Sequence, residues 1–177
     1  MSVSRRAEAL ARARGEMTGV RERILAFVGP RSDVELLAAP AAGGWCAAEV
    51  LDHLRTAEGK LLKGLLRVER GEPVRLPRRA YFYRLPMGIA FANVKLKAPG
   101  PVRPRAAAEI GSPREVIATM RTSRDELLAL ADRLGEERFS RFLFPHFLLG
   151  RFDGLDWFRF LARHESRHLA QLARILS

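Results

Sequence analysis

The sequence predicts an all-α protein, a four-helix bundle with a long Pro-rich insertion between its second and third helices. Three observations lead there. Four long segments repeat apolar residues at spacings of three and four. No segment alternates apolar and polar residues with the period of two that a half-buried strand needs. Six of the ten prolines fall between Gly71 and Gly111, too densely for a continuous helix. A length of 177 residues fits one domain over 1–177, with 71–111 as its insertion, and suffices to bury a substantial core.

The first helix runs from about Ser4 to Val28. Leu10, Met17, Val20, Ile24, Phe27 and Val28 form its stripe, and Gly29-Pro30 ends it. A small-residue linker, Ala38 to Gly44, leads to the second helix at about Cys46 to Arg70, with Val50, Leu54, Ala57, Leu61 and Leu65 along one face. The third opens at Ser112-Pro113-Arg114-Glu115, a capping-box pattern with proline at the first helical position, and Gly135 closes it. The fourth takes Asp153 as N-cap and carries Leu155, Phe158, Leu161, Leu169, Leu172 and Ile175 inward. Within the insertion, Tyr81 to Leu96 is apolar enough for a short helix packed on the bundle, and loops of that length tend to be functional.

Composition narrows the class. Hydrophobic content of 47% with 29% charged residues is that of an ordered globular chain. The one cysteine, Cys46, excludes an intrachain disulfide and points to the cytoplasm, and no apolar run is long enough for a membrane span. The net charge of +11, carried almost wholly by arginine, favours contact with anions.

Chemistry centres on the histidines, of which there are four. His164 and His168 stand four apart in His164-Glu165-Ser166-Arg167-His168, so their imidazoles stack on one helix face. Leu161 and Leu172 place that face toward the interior, and Val50 and Ala57 do the same for His53. Three imidazoles from facing helices suit a divalent metal and leave coordination positions open. The plainer reading, hydrogen-bonded core histidines, stays open. The same five residues match the His-Glu-x-x-His pattern of zinc proteases with Glu165 as general base, but no third ligand follows His168. Glu165 is therefore expected to be a solvated helix residue. His146, in a loop, is expected to pack or face solvent, and Trp45 and Trp157 to anchor the core. Glu49 and Glu58 are placed to orient His53, Glu49 the better of the two, although surface ion pairing suits both more readily.

Trp45-Cys46-Ala47-Ala48-Glu49-Val50-Leu51-Asp52-His53-Leu54 resembles the Trp-Ser-x-x-Glu-x-x-x-His-Leu opening of the second helix in the DinB/YfiT-like superfamily. Leu149-Gly150-Arg151, Asp156-Trp157 and His164 through Gln171 resemble its last helix, and Lys97-Ala98-Pro99-Gly100-Pro101 the end of its insertion. The resemblance implies a bacterial four-helix bundle whose metal ligands map onto His53, His164 and His168. It also implies relatives that activate a low-molecular-weight thiol at the metal. Cys46 departs from the usual Ser or Thr cap. A thiol there is either acidified by the helix N-terminus or simply tolerated as an apolar group, the second being favoured.

From Gly71 to Arg105 the insertion holds eight basic residues, Arg75, Arg78, Arg79, Arg84, Lys95, Lys97, Arg103 and Arg105, against the single acid Glu72, with both tyrosines at Tyr81 and Tyr83. Such a stretch can hold phosphates, dock on an anionic surface or attract an acidic cofactor, but a solvated loop is the favoured reading.

The expectation is thus a divalent-metal-dependent enzyme, with Zn or Ni first, acting on a small-molecule substrate. Its chemistry would be that of a low-molecular-weight-thiol S-transferase or a hydrolase. The alternative is a non-catalytic, stress-associated helical domain, or a basic module that contacts nucleic acid, the less favoured partner. Whether the chain is a monomer or a homodimer stays open.

Overall fold

The computed structural model describes residues 3–41, 43–74, 78–88, 100–139 and 141–177. Its helices are α1 (Val3–Val28), α2 (Asp33–Leu37), α3 (Ala47–Glu69), α4 (Ala107–Ile110), α5 (Pro113–Phe139) and α6 (Gly154–Ile175), with 3-10 turns at Arg78–Tyr81 and Gly100–Val102. Among the described residues the only β pairing is three isolated bridges. No helix among them is long and apolar enough to cross a membrane. The four long helices stand where periodicity places them. Part of the Pro-rich stretch, residues 75–77 and 89–99, lies outside the described residues, and with it half of the helix expected over Tyr81 to Leu96.

Long-range partners set the topology. Arg6 reaches Asp153 at the start of α6 and Arg21 reaches Glu165 further along, so α1 and α6 run parallel. Glu58 meets Ser123, and Glu69 meets Arg133, so α3 and α5 are parallel too. Ile24 and Val28 from the end of α1 pack with Val50 and Leu51 from the start of α3, which makes the two pairs antiparallel. The order is up, down, down, up. Joining α3 to a parallel α5 obliges the chain to return along the bundle, about 35 Å for a helix of this length. About ten extended residues are the minimum for that span, which is why a long connection separates these two helices.

The core is two apolar clusters with a charged layer between them. Met17, Leu61, Leu65, Leu127 and Leu161 belong to one. Ile24, Leu54, Met120 and Leu172 belong to the other. Arg21, Glu58, Arg124 and Glu165, one from each long helix, fill the gap and are all under 5% exposed. Arg21 spans Glu58 at 3.2 Å and Glu165 at 2.5 Å. Arg124 spans Glu58 at 2.8 Å and Glu165 at 2.6 Å. Ser123 Oγ donates to Glu58 at 2.6 Å, and the arginines also donate to the carbonyls of Met120 and Met17. Burial alone would push the Glu58 carboxyl up, but Arg21 and Arg124 outweigh it and hold it below its ordinary range. The expected surface roles of Glu58 and Glu165 are therefore corrected: spacing puts both on helices but does not show that two arginines wait inside.

Helix ends follow local chemistry. Ser32 and Glu35 cap α2 reciprocally, as do Asp153 and Asp156 for α6. At the start of α5 the amides of Glu115 and Val116 donate to the carbonyl of Ser112. Gly135 takes φ 73°, ψ 156° and kinks α5 where closure is expected, with one further turn reaching Phe139.

Candidate metal centre

His53 sits nearly two turns into α3, and His164 and His168 face it from α6. His53 and His164 approach through their Nε2 atoms at 3.1 Å. Ring centroids are 4.9 Å apart for His53 and His168, and 4.6 Å for His164 and His168. One donor nitrogen from each of the three lies within 4.8 Å of the others. A tetrahedral ion with bonds of about 2.0–2.1 Å holds its donors about 3.3 Å apart, so a small inward movement of side chains suffices.

The neighbours settle the protonation of two rings. His53 Nδ1 lies 2.5 Å from the carbonyl oxygen of Val102, an acceptor only, so Nδ1 carries the hydrogen and Nε2 presents a lone pair. His168 Nδ1 lies 2.8 Å from Gln171 Oε1, which leaves its Nε2 bare in the same way. The second nitrogen of a metal-binding histidine typically donates to an oxygen in this manner. His164 Nδ1 is buried with no hydrogen-bond partner among the described residues, so no oxygen holds that ring as in the other two, while its Nε2 faces the lone pair of His53 Nε2 at 3.1 Å. Burial lowers all three: His53 below its ordinary value, His164 well below it, and His168 to about 4. The rings are neutral at pH 7, as ligands must be. The donor set therefore fits a divalent cation.

The surroundings decide among the roles expected for the neighbouring residues. His53 is oriented by Val102 and not by a glutamate: Glu49 Oε2 accepts from the Cys46 amide at 2.8 Å, and Glu58 lies in the charged layer. Cys46 is 2% exposed and burial pushes its thiol up, so the helix N-terminus does not acidify it. Glu165 turns away from the histidines toward Arg21 and Arg124, which removes it as a general base. Trp157 is buried and donates to Phe144 O at 3.3 Å, while Phe160 stacks on His164 at 5.4 Å. Trp45 is half-buried and leans on His53 at 5.2 Å. His146 is buried among Phe147, Phe152, Trp157 and Phe160, and its Nδ1 accepts the amides of Leu148 and Leu149.

Sequence reasoning missed Asp52. Its carboxylate is 1% exposed and accepts the backbone amide of Arg105 at 2.9 Å, the Arg105 guanidinium at 2.9 Å and Arg55 at 2.8 Å. It thereby pins the returning end of the insertion, residues 100–105, beside His53. The only signal was a carboxylate next to the histidine, and nothing local names its partner. Elsewhere in the insertion Arg84 pairs with Asp156 at 2.7 Å. Tyr83 donates to Leu148 O at 3.1 Å, and Tyr81 donates to Val74 O. The described part of the basic stretch is therefore partly neutralised, with its tyrosines committed to packing, whereas Arg75, Lys95 and Lys97 lie outside the described residues.

Comparison with known proteins agrees with this architecture. Residues 16–172 match the model of the DinB superfamily. The uncharacterized protein YuaE of Bacillus subtilis (strain 168) is 31% identical over 145 residues, covering 81% of this chain and 85% of YuaE. Among solved structures, YfiT from Bacillus subtilis is described as a probable metal-dependent hydrolase with an unusual four-helix bundle topology. It superposes with a TM-score of 0.60 at 14% identity, over 99% of this chain and 87% of that one, a likeness of fold. With a family match over most of its length, and with a bundle that shares the YfiT fold, this chain belongs to the DinB superfamily.

Proposed function

We propose that the protein is a metal-dependent enzyme acting on a small molecule, with His53, His164 and His168 holding one divalent ion, Zn or Ni. The observation that carries this reading is the convergence of three neutral imidazoles from α3 and α6, two of them with Nδ1 already committed to an oxygen. A divalent ion there supplies Lewis-acid chemistry, acidifying a water or a thiol so that it becomes a nucleophile near neutral pH. The chain's own residues do the positioning. Val102 O and Gln171 Oε1 hold the rings in register, and Phe160 fixes the plane of His164. All three ligands come from one chain, so a homodimer is not required. Hydrolysis is the reaction described for YfiT, and transfer of a low-molecular-weight thiol is the reaction implied by the motif resemblance. The second places the protein in a reducing cytoplasm.

Elemental analysis of purified, tag-free protein beside His53→Ala/His168→Ala tests the site. About one Zn or Ni per chain, absent from the double variant, is the expected result. No metal in either protein after incubation with excess ion would end the reading. With metal present, an ester panel and a thiol-plus-electrophile panel separate hydrolase from transferase.

A further inference from the structure

The positive charge of this molecule is not spread evenly. The exposed face of α5 carries six acidic residues against four arginines. That of α6 carries Arg159, Arg163, Arg167 and Arg174 and no exposed acid, because its two carboxylates, Asp156 and Glu165, are buried at 6% and 1%. The whole chain holds 31 basic residues against 20 acidic ones, so a helix that merely followed composition would still expose some acid.

Three of the α6 arginines, Arg163, Arg167 and Arg174, line a surface cleft of about 680 Å³ between α1 and α6. Small residues, Gly15, Gly19, Ala162, Ser166 and Ala170, line it, and Arg23 joins from α1. Among the described residues Glu16 is the one acid in its lining. Arg23, Arg163 and Arg174 make no ion pair among the described residues, so their charge is available. The cleft is separate from the histidines, which face α3.

Its shape selects among anions. The arginines of its α6 wall, Arg163 to Arg174, extend about 16 Å along the helix, far longer than one phosphate or carboxylate. A nucleic-acid strand presents one phosphate per about 3.4 Å of duplex axis, so such a row meets several in succession. Among the described residues no aromatic side chain lines the cleft, which leaves nothing there to stack on unpaired bases or to read a sequence. We propose that the α1–α6 cleft binds the phosphodiester backbone of duplex nucleic acid without sequence preference, a property independent of the metal reading.

The test is fluorescence anisotropy of the full chain with a labelled random 20-base-pair DNA duplex between 50 and 200 mM salt. Arg23→Gln/Arg163→Gln/Arg174→Gln is compared with Lys60→Gln/Lys63→Gln/Arg121→Gln, which removes the same charge from exposed sites on α3 and α5; circular dichroism confirms that both fold. The expected result is that the cleft variant loses about tenfold or more in affinity and about 3 in the slope of log affinity against log salt. The control stays within about threefold of wild type. Any of three results overturns the proposal: no duplex binding by wild type at 50 mM salt, equal losses in the two variants, or equal affinity of wild type for polyglutamate or phosphatidylserine vesicles.

Discussion

A buried imidazole makes a fold sensitive to acid. His146 has its value lowered to about 4 by burial, against 6.5 for the free side chain. Above pH 6.5 neither folded nor unfolded chain binds the proton, and stability is complete. Between 6.5 and 4 the unfolded chain takes up a proton that the folded one refuses, so stability falls with pH, by about 3 kcal/mol at most. His146→Asn keeps an oxygen to accept the amides of Leu148 and Leu149 and removes the titration. Urea unfolding at pH 7 and pH 4.5 should show a smaller acid loss for this variant, and an identical loss would refute the assignment. His53, His164 and His168 were legible as a group because a spacing of four and two apolar stripes determine their faces. The partners of His53 and of Glu165 were not, since Val102 and Arg124 lie 49 and 41 residues away and no local pattern encodes such pairings.

Among the elements, the strap at 100–105 matters most for the site. Asp52 holds Arg105, and three residues earlier Val102 orients His53. Asp52→Asn should accelerate hydrogen exchange of the Arg105 amide and weaken metal binding about tenfold or more, the usual effect of losing a ligand's outer partner. Faster exchange with unchanged affinity would mean that the strap does not position the imidazole. The four long helices could be read from periodicity because each buries one face. The five-residue α2 could not, although Ser32 and Glu35 carry the same capping signature read at Ser112. It falls just ahead of a stretch of small residues, where too few apolar positions reveal a period.

At the scale of the molecule, the charged layer ties all four long helices together. Removing one member leaves buried charge without a partner, and Arg124→Met should destabilise by about 3–5 kcal/mol in urea unfolding. Replacing Arg21, Glu58, Arg124 and Glu165 together with apolar residues of similar volume should be neutral or stabilising by about 1–4 kcal/mol. A single variant as mild as the quadruple one would show that the layer is not coupled. Deleting 153–177 strips α1 of its parallel neighbour and should abolish cooperative thermal unfolding; a sharp transition in the truncated chain would contradict that.

The parallel pairing of α1 with α6 also bears on how the protein is made. At about 5–20 residues per second, the 125 residues between Val28 and Gly154 separate the two helices by roughly 6–25 s on the ribosome. Throughout that interval the nascent chain exposes the apolar stripe of α1, with Arg21 lacking Glu165. The bundle closes only once α6 has been made, and until then its first helix is a natural client for chaperones that shield apolar surface.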